Sequence, residues 1–405
     1  MRTMHEGRVS HASAPVLTGE VIPLWSRSVT DGEINGPVSA PTAWDFNGDH
    51  IKDICITTKD GYIMFFDGIS GNDISGNIRP ALELTPPCIL PLDRHTAAVI
   101  IGGYDGKSFV KAVSWDMQIY WSTSAQSISA PPNSAPYRFN DITGDGIDEI
   151  LITDRKDTLY CIGGGDGTII WRWKSKAGSI IPFIGIGDVN NDAIQDACIG
   201  TENGNVYSID GLTGNAHWVY NNSVALSAPP LIADSDTTPG NEIHCQTADG
   251  RITILSCAGK LIRMLNFSSP LGGSLIAGDI DRNNSYDVLW STAAQGIQMM
   301  TDFNHAAGTL QWNYTALAPV QAPMQLIDLN ADTLPELCVI DHTGQLLFLG
   351  TRHGICAGSF QLGSEITQPF LLMDFDNDPR FPELAVTTKH GTVEMFTCQF
   401  TAAQR

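Results

Sequence analysis

Along almost the whole chain, short apolar runs alternate with polar clusters that carry glycine, and the runs are too short for helices but right for strands. The stretch PPLIADSDTTPGNEIHCQTADGRITILSCAGKLIRML from Pro229 contains one complete unit of this pattern. A short strand ends at Asp234, a polar loop follows, and then three more strands are separated by turns at Asp249-Gly250 and Gly259. The same order returns at PMQLIDLNADTLPELCVIDHTGQLLFLG from Pro323. Asp60-Gly61, Asn203-Gly204 and Thr343-Gly344 repeat the first of these turns, where Gly and Asn tolerate the backbone angles of a hairpin. A proline stands before most first strands (Pro41, Pro87, Pro136, Pro182, Pro229, Pro323, Pro369), a place where the missing N–H costs nothing. Several fourth strands carry tryptophan: Trp121, Trp171, Trp218 and Trp312.

The acid that ends the first strand recurs at positions 45, 93, 141, 188, 234, 279, 328 and 374, in steps of 45 to 49 residues. A fixed period in this range marks a repeat protein, and four antiparallel strands per unit predict propeller blades. The expected fold is therefore all-β, an eight-bladed β-propeller of four-stranded antiparallel blades. After Asp374 only three strands precede the terminal TAAQR, whereas EVIPLWSRSV, with Trp25, reads like the fourth strands TIIWRWKSK and NAHWVYNNSV. An N-terminal strand completing the last blade would remove both open edges. The boundaries expected are an extension over 1–20, one propeller domain over 21–398 and a tail over 399–405. The content of 39 Gly, 22 Pro and 42% hydrophobic residues agrees with a packed β repeat, and the hairpin pattern disfavours an open solenoid.

In seven of the eight units the loop after the first strand is crowded with oxygen donors, at positions 1, 3, 5 and 9 in its fullest form. Unit one has Asp45, Asn47, Asp49 and Asp53; unit four has Asp188, Asn190, Asp192 and Asp196; unit seven has Asp328, Asn330, Asp332 and Glu336. Unit six is comparable, with Asp279, Asp281, Asn283 and Asp287. Unit three (Asp141, Thr143, Asp145, Glu149) exchanges an amide for a hydroxyl, and unit eight (Asp374, Asp376, Asp378, Glu383) has an extra residue before its final acid. Unit five keeps only Asp234, Asp236 and Glu242, with Thr238 at position 5. Unit two, LDRHTAAVIIGG, retains Asp93 alone and is expected to bind nothing. Crowded carboxylates repel unless water or a hard cation separates them, and this spacing aims several oxygens at one centre. Ordinary turns use the same residues, but the recurrence favours calcium, held most tightly in units one, four and seven.

The D-x-[DN]-x-D-x-x-x-[DE] loop resembles the calcium loop of integrin α-subunit type propeller repeats, called FG-GAP or VCBS repeats. The second half of each unit, as in DGTIIWRW and NVYSIDGLTGNAHWVY, resembles the tryptophan-docking repeat of the quinoprotein alcohol dehydrogenase superfamily, whose propellers have eight blades. Together the resemblances cover residues 21–398 and imply fold, not chemistry. Quinone-binding members use two adjacent cysteines, and no two of the nine cysteines here are neighbours, so that cofactor is not expected. There is no G-x-S-x-G elbow, H-E-x-x-H or phosphate loop, and GGGDG at 163–167 precedes a strand as a hairpin turn. The function expected is that of a non-enzymatic, calcium-stabilised module that binds a protein or a glycan on one propeller face. The alternative is a lyase-like polysaccharide-active enzyme, which needs a cluster of His, Lys or Arg in the funnel; Arg94, Lys107, Arg138 and Arg172 form no visible set.

A net charge of −21 argues against nucleic acid or an anionic membrane as the main partner, and no run is apolar and long enough to span a bilayer. Cys55, Cys198 and Cys338 stand where other units have Leu151 and Leu289, so they are expected as buried free thiols. His244 occupies the same position in unit five and is expected to be a packed strand residue or to line the channel. Free thiols and the absence of a signal-like apolar segment in residues 1–20 point to the cytoplasm, whereas calcium loops point outward. An extracellular or cell-surface location is expected from the latter.

Overall fold

The computed structural model describes residues 18–401, apart from 30–37, 76–77, 124–127, 129, 236–238, 268–269, 274, 285, 294–295, 302–308, 321–322, 331, 364, 367 and 379. These residues form eight antiparallel sheets in chain order, an all-β, eight-bladed propeller. Blade three is representative: Tyr137–Phe139, Glu149–Thr153, Thr158–Ile162 and Ile169–Lys174 pair in sequence from the innermost strand to the outermost. Blade one has three strands, and isolated bridges at Asp73 and Ile78 stand in for its fourth. In blade two, Glu83–Leu84 and Cys88–Pro91 both pair with Ala97–Tyr104. Blade eight is built from both ends of the chain: Thr18–Ser28 pairs antiparallel with Thr392–Thr401, outside Glu383–Thr387 and Leu371–Met373.

The sequence pattern follows from where each strand sits. Second strands are buried at every position in blades one and three to eight, which is why they read as continuous apolar runs. Each of these strands begins with the position-9 acid of the loop before it. Fourth strands such as Ala216–Asn221 are mostly exposed, as outer edges must be. Eight hydrophobic clusters lie between neighbouring blades. One of them joins Trp25, Met395 and Phe375 of blade eight to Ile54, Ile56 and Met64 of blade one, so the ring is closed by a hydrophobic cluster, as neighbouring blades are joined elsewhere.

The tryptophans are the wedges of those junctions. Nε1–H of Trp25, Trp121, Trp171, Trp218 and Trp312 donates to the carbonyl of Gly68, Gly164, Gly211, Cys257 and Thr351, in each case at the third-to-fourth strand turn of the next blade, over 2.6–2.9 Å. A register shift follows the tryptophan pairing in four of these strands, and such a bulge re-aims the side chain across the blade. Gly214 receives Trp171 at φ +70°, where a Cβ would lie 2.7 Å from the indole. Only glycine meets both conditions.

Candidate functional site

With four antiparallel strands per blade, the first-to-second loops and third-to-fourth turns lie at one end of the propeller. The second-to-third turns and the connections between blades lie at the other. All seven acidic loops therefore share one end. Their backbones repeat: His50, Asn191, Ala193, Arg282, Asn284, Thr333 and Asn377 take left-handed φ between 57° and 75° at position 4 or 6. Gly48, Gly144 and Gly146 take the same conformation where the sequence supplies glycine.

The first acid caps this coil. Asp45 accepts from the N–H groups of Gly48, Asp49 and His50, Asp141 from Gly144, Asp145 and Gly146, Asp188 from Asp192 and Ala193, and Asp328 from Asp332 and Thr333. The Gly146 N–H leads in holding the Asp141 carboxyl below its ordinary range. Asp279 accepts from Asn284. Position 3 folds back similarly: Asn47, Asn190 and Asn330 each accept from the position-5 N–H, and Asp281 and Asp376 do the same. Thr143 Oγ1 lies 3.5 Å from Asp141. Asp49, Asp145, Asp192 and Asp332 accept from the N–H two residues on. Asp378 accepts from the Arg380 N–H in the same way and also forms a forked pair with the Arg380 guanidinium, which turns it to an internal cation.

The position-9 acid has a role that spacing alone does not reveal. Asp53, Glu149, Asp196, Glu242, Asp287, Glu336 and Glu383 are all nearly or fully buried beneath their loops. Each accepts from the position-2 N–H, that of Phe46, Ile142, Val189, Ser235, Ile280, Leu329 or Phe375. Burial pushes the carboxyls of Asp53, Glu336 and Glu383 up to about 7 and raises Glu149 and Asp196, against the backbone N–H groups that favour the ion. One oxygen of Asp53 and one of Glu149 have no hydrogen-bond partner among the described residues although both side chains are fully buried.

Two loops gather three carboxylates with ligand atoms within 4.8 Å: Asp279, Asp281 and Asp287 in blade six, and Asp374, Asp376 and Glu383 in blade eight. Among the described residues the loops of blades one, three, four and seven do not bring three carboxylates this close. In blade five Asp234 is exposed and Glu242 buried, while Asp236 and Thr238 lie outside the described residues. The Ser235 hydroxyl there donates to Glu242, and His244, fully buried, places Nε2 3.0 Å from Ser235 Oγ and its ring against Tyr286. His244 is a packed strand residue whose charge burial suppresses, its pKa lowered to about 4. All nine cysteines are unpaired, six of them buried.

Sequence reading missed Asp210 and His217, which meet Asp196 in blade four. They are 14 and 21 residues from Asp196 and come together only through strand pairing, so no linear motif announces them. At the opposite end of the propeller, a cavity of about 300 Å³ spans blades eight, one, two and three and is lined by Lys59, Glu83, Tyr104, Asn133, Arg155 and Gln368. Arg155 pairs there with Glu83 at 2.5 Å.

Residues 109–295 match the family model described as outer membrane protein assembly factor BamB. No curated protein matches the chain significantly. Among solved structures, BamB from Moraxella catarrhalis superposes with a TM-score of 0.58 at 13% identity, covering 95% of this chain and 99% of that one. BBS1N, in its complex with ARL6DN, gives 0.53 at 12% identity over 93% and 96%. Quinohemoprotein alcohol dehydrogenase ADHIIG from Pseudomonas putida HK5 gives 0.61 at 10% identity over 96% and 77%. The solved structures share the propeller fold, and the family match supports repeats of the quinoprotein-like type over residues 109–295; the integrin-type half of the resemblance rests on the loop sequences alone.

Proposed function

We propose that the chain is a non-enzymatic propeller, stabilised by calcium in its acidic loops, that presents a rigid face to a protein partner. The observation that carries the calcium reading is the pair of buried, unpartnered carboxylate oxygens on Asp53 and Glu149, each beneath a loop whose other donors are oxygens. A buried carboxylate oxygen without a partner is costly even when its twin is hydrogen-bonded, and a hard oxygen-seeking cation satisfies it. Asp45, Asn47, Asp49 and Asp53 would hold one such ion, with equivalent sets in blades four, six and seven, and weaker ones in blades three and eight. Calcium of this kind supplies neutralisation and rigidity. It fits a calcium-rich compartment outside the cytoplasm, and the location proposed is extracellular or at the cell surface.

The protein-partner reading draws on neighbours of the same fold, since one is solved as a complex with another protein and another carries the name of an assembly factor. The cavity at the opposite end of the propeller supports the enzyme alternative, because Lys59, Tyr104 and Arg155 line it. Glu83 offsets Arg155, which leaves Lys59 a weak basis for steadying a developing carbanion. Calorimetry with calcium tests the first half: heats for several sites, abolished by chelator, are expected. A glycan array combined with turnover of polyuronides tests the second. Product formation would establish the lyase-like enzyme, and tight glycan capture without turnover would replace the protein partner by a glycan.

A further inference from the structure

Blade four carries a second cluster on the acidic-loop end. His217, in the outer strand Ala216–Asn221, places Nε2 3.3 Å from Asp196 Oδ1 and 3.6 Å from Asp210 Oδ2. The other oxygen of each carboxylate is already fixed. Asp196 Oδ2 accepts from Val189 N–H at 3.1 Å, and Asp210 Oδ1 accepts from the N–H and hydroxyl of Thr213 at 2.6 Å. Asp196 Oδ1 also receives the Gly211 N–H at 3.1 Å. The two carboxylates are thus held by supports of their own with one oxygen of each facing the ring nitrogen, as supporting hydrogen bonds orient metal ligands.

A single N–H shared between two acceptors points squarely at neither, and both contacts exceed the about 2.7–2.9 Å of a charge-assisted hydrogen bond. They lie close instead to the edge, about 3.3 Å, of a tetrahedron with metal–ligand bonds of about 2.0–2.1 Å. The donor set selects the metal: calcium takes oxygen, whereas one imidazole with two carboxylates suits zinc and its transition-metal neighbours. Asp196 is 1% exposed, Asp210 20% and His217 27%, so the cluster has a buried floor and an open mouth for an ion and its water. Blade one supplies an internal comparison. Asp53 and Asp67 occupy the equivalent places, but Ile74 stands at the register of His217 and the third ligand is missing.

We propose that Asp196, Asp210 and His217 form an open, three-ligand zinc-type site, separate from the calcium loops and touching that of blade four only through opposite oxygens of Asp196. Reduced, chelator-stripped protein titrated with zinc, with and without millimolar calcium, should take up one zinc per chain under both conditions. His217→Ala should weaken that uptake at least tenfold without altering the calcium heats, and His217→Gln, which keeps the bulk, should do the same. Cobalt in place of zinc should give visible bands of a nitrogen–oxygen site with no thiolate charge-transfer band, which separates this site from the cysteines. Absence of stoichiometric zinc in the wild type, uptake unchanged in both variants, or a thiolate spectrum would each overturn the assignment. Because the titration is read with and without calcium, it stands or falls independently of the acidic loops.

Discussion

At the scale of single residues, the junctions between blades depend on pairs that have no tolerance. Gly214→Ala introduces a Cβ 2.7 Å from the Trp171 indole at φ +70°, so it meets a clash and a disfavoured backbone together. Gly106→Ala, at φ +72° with nothing within 4 Å, meets the backbone term alone. Denaturant titration should place the Gly106 variant about 1 kcal/mol below wild type and the Gly214 variant lower by a further 1–3 kcal/mol or so; equal losses would refute the docking role of Trp171. The thiols are similarly governed by burial. It pushes Cys245 and Cys398 up to about 12, and raises Cys55, Cys161, Cys198 and Cys338 as well. Native protein at pH 8 should therefore resist alkylation at these six, while unfolded, non-reduced protein should be labelled at nearly all nine; mass spectrometry reads both, and several disulfides would contradict the expectation. Tryptophan recurrence and the cysteines in leucine positions were legible because each is a periodic substitution in a repeating frame. His217 was not, because its significance comes from a register across three strands.

At the scale of the loop and its strand, the sequence spacing marks which side chains belong together but not which of them face a common centre. Positions 1, 3 and 5 lie in the coil, and their oxygens also cap its left-handed turns. Position 9 begins a strand that is buried along its whole length, so this acid sits under the coil and holds its entry N–H. Its burial is a property of the propeller wall, which nine consecutive letters do not encode. Substitution of the capping acids by alanine therefore confounds two roles. Asp192→Asn is cleaner: the amide oxygen can still accept from Ile194 N–H, while the charge is lost. In chelator the variant should match wild type within about 0.5 kcal/mol. With calcium it should bind one ion fewer and gain less in melting temperature, since stabilisation grows as the logarithm of ligand over dissociation constant. Wild type whose melting is unmoved by millimolar calcium would reduce the acidic loops to hydrated turns.

At the scale of the whole molecule, ring closure also accounts for one of the gaps in the tryptophan series. In the third-to-fourth strand register where blades two, three, four and six hold tryptophan, blade five holds Arg263 and blade seven holds Gly358, opposite Phe348. A tryptophan there would dock on the turn joining the last two strands of blade eight, and no such turn exists, because those strands come from opposite ends of the chain. The junction between blades seven and eight is packed instead by Phe348, Phe360 and Phe400. Trp25 of the N-terminal strand then supplies the ordinary wedge to blade one, with its Nε1–H on Gly68 and its ring against Gly71. Val21 of the same strand packs against the cluster between blades seven and eight, so the N-terminal strand touches both junctions. Deleting residues 1–28 would uncover the Thr392–Thr401 edge along nearly its whole length and leave the blade-one turn without its indole. An exposed, apolar strand edge is a template for pairing with another chain, so the truncated protein is expected to elute as oligomers or aggregate and to melt well below the full chain. Trp25→Ala in the full chain keeps the edge covered and removes only the wedge. It should lower stability by about 3–5 kcal/mol while the protein stays monomeric. Light scattering on the two variants separates edge pairing from packing, and a truncated protein that stayed monomeric with an unchanged melting temperature would show that blade eight closes without its fourth strand.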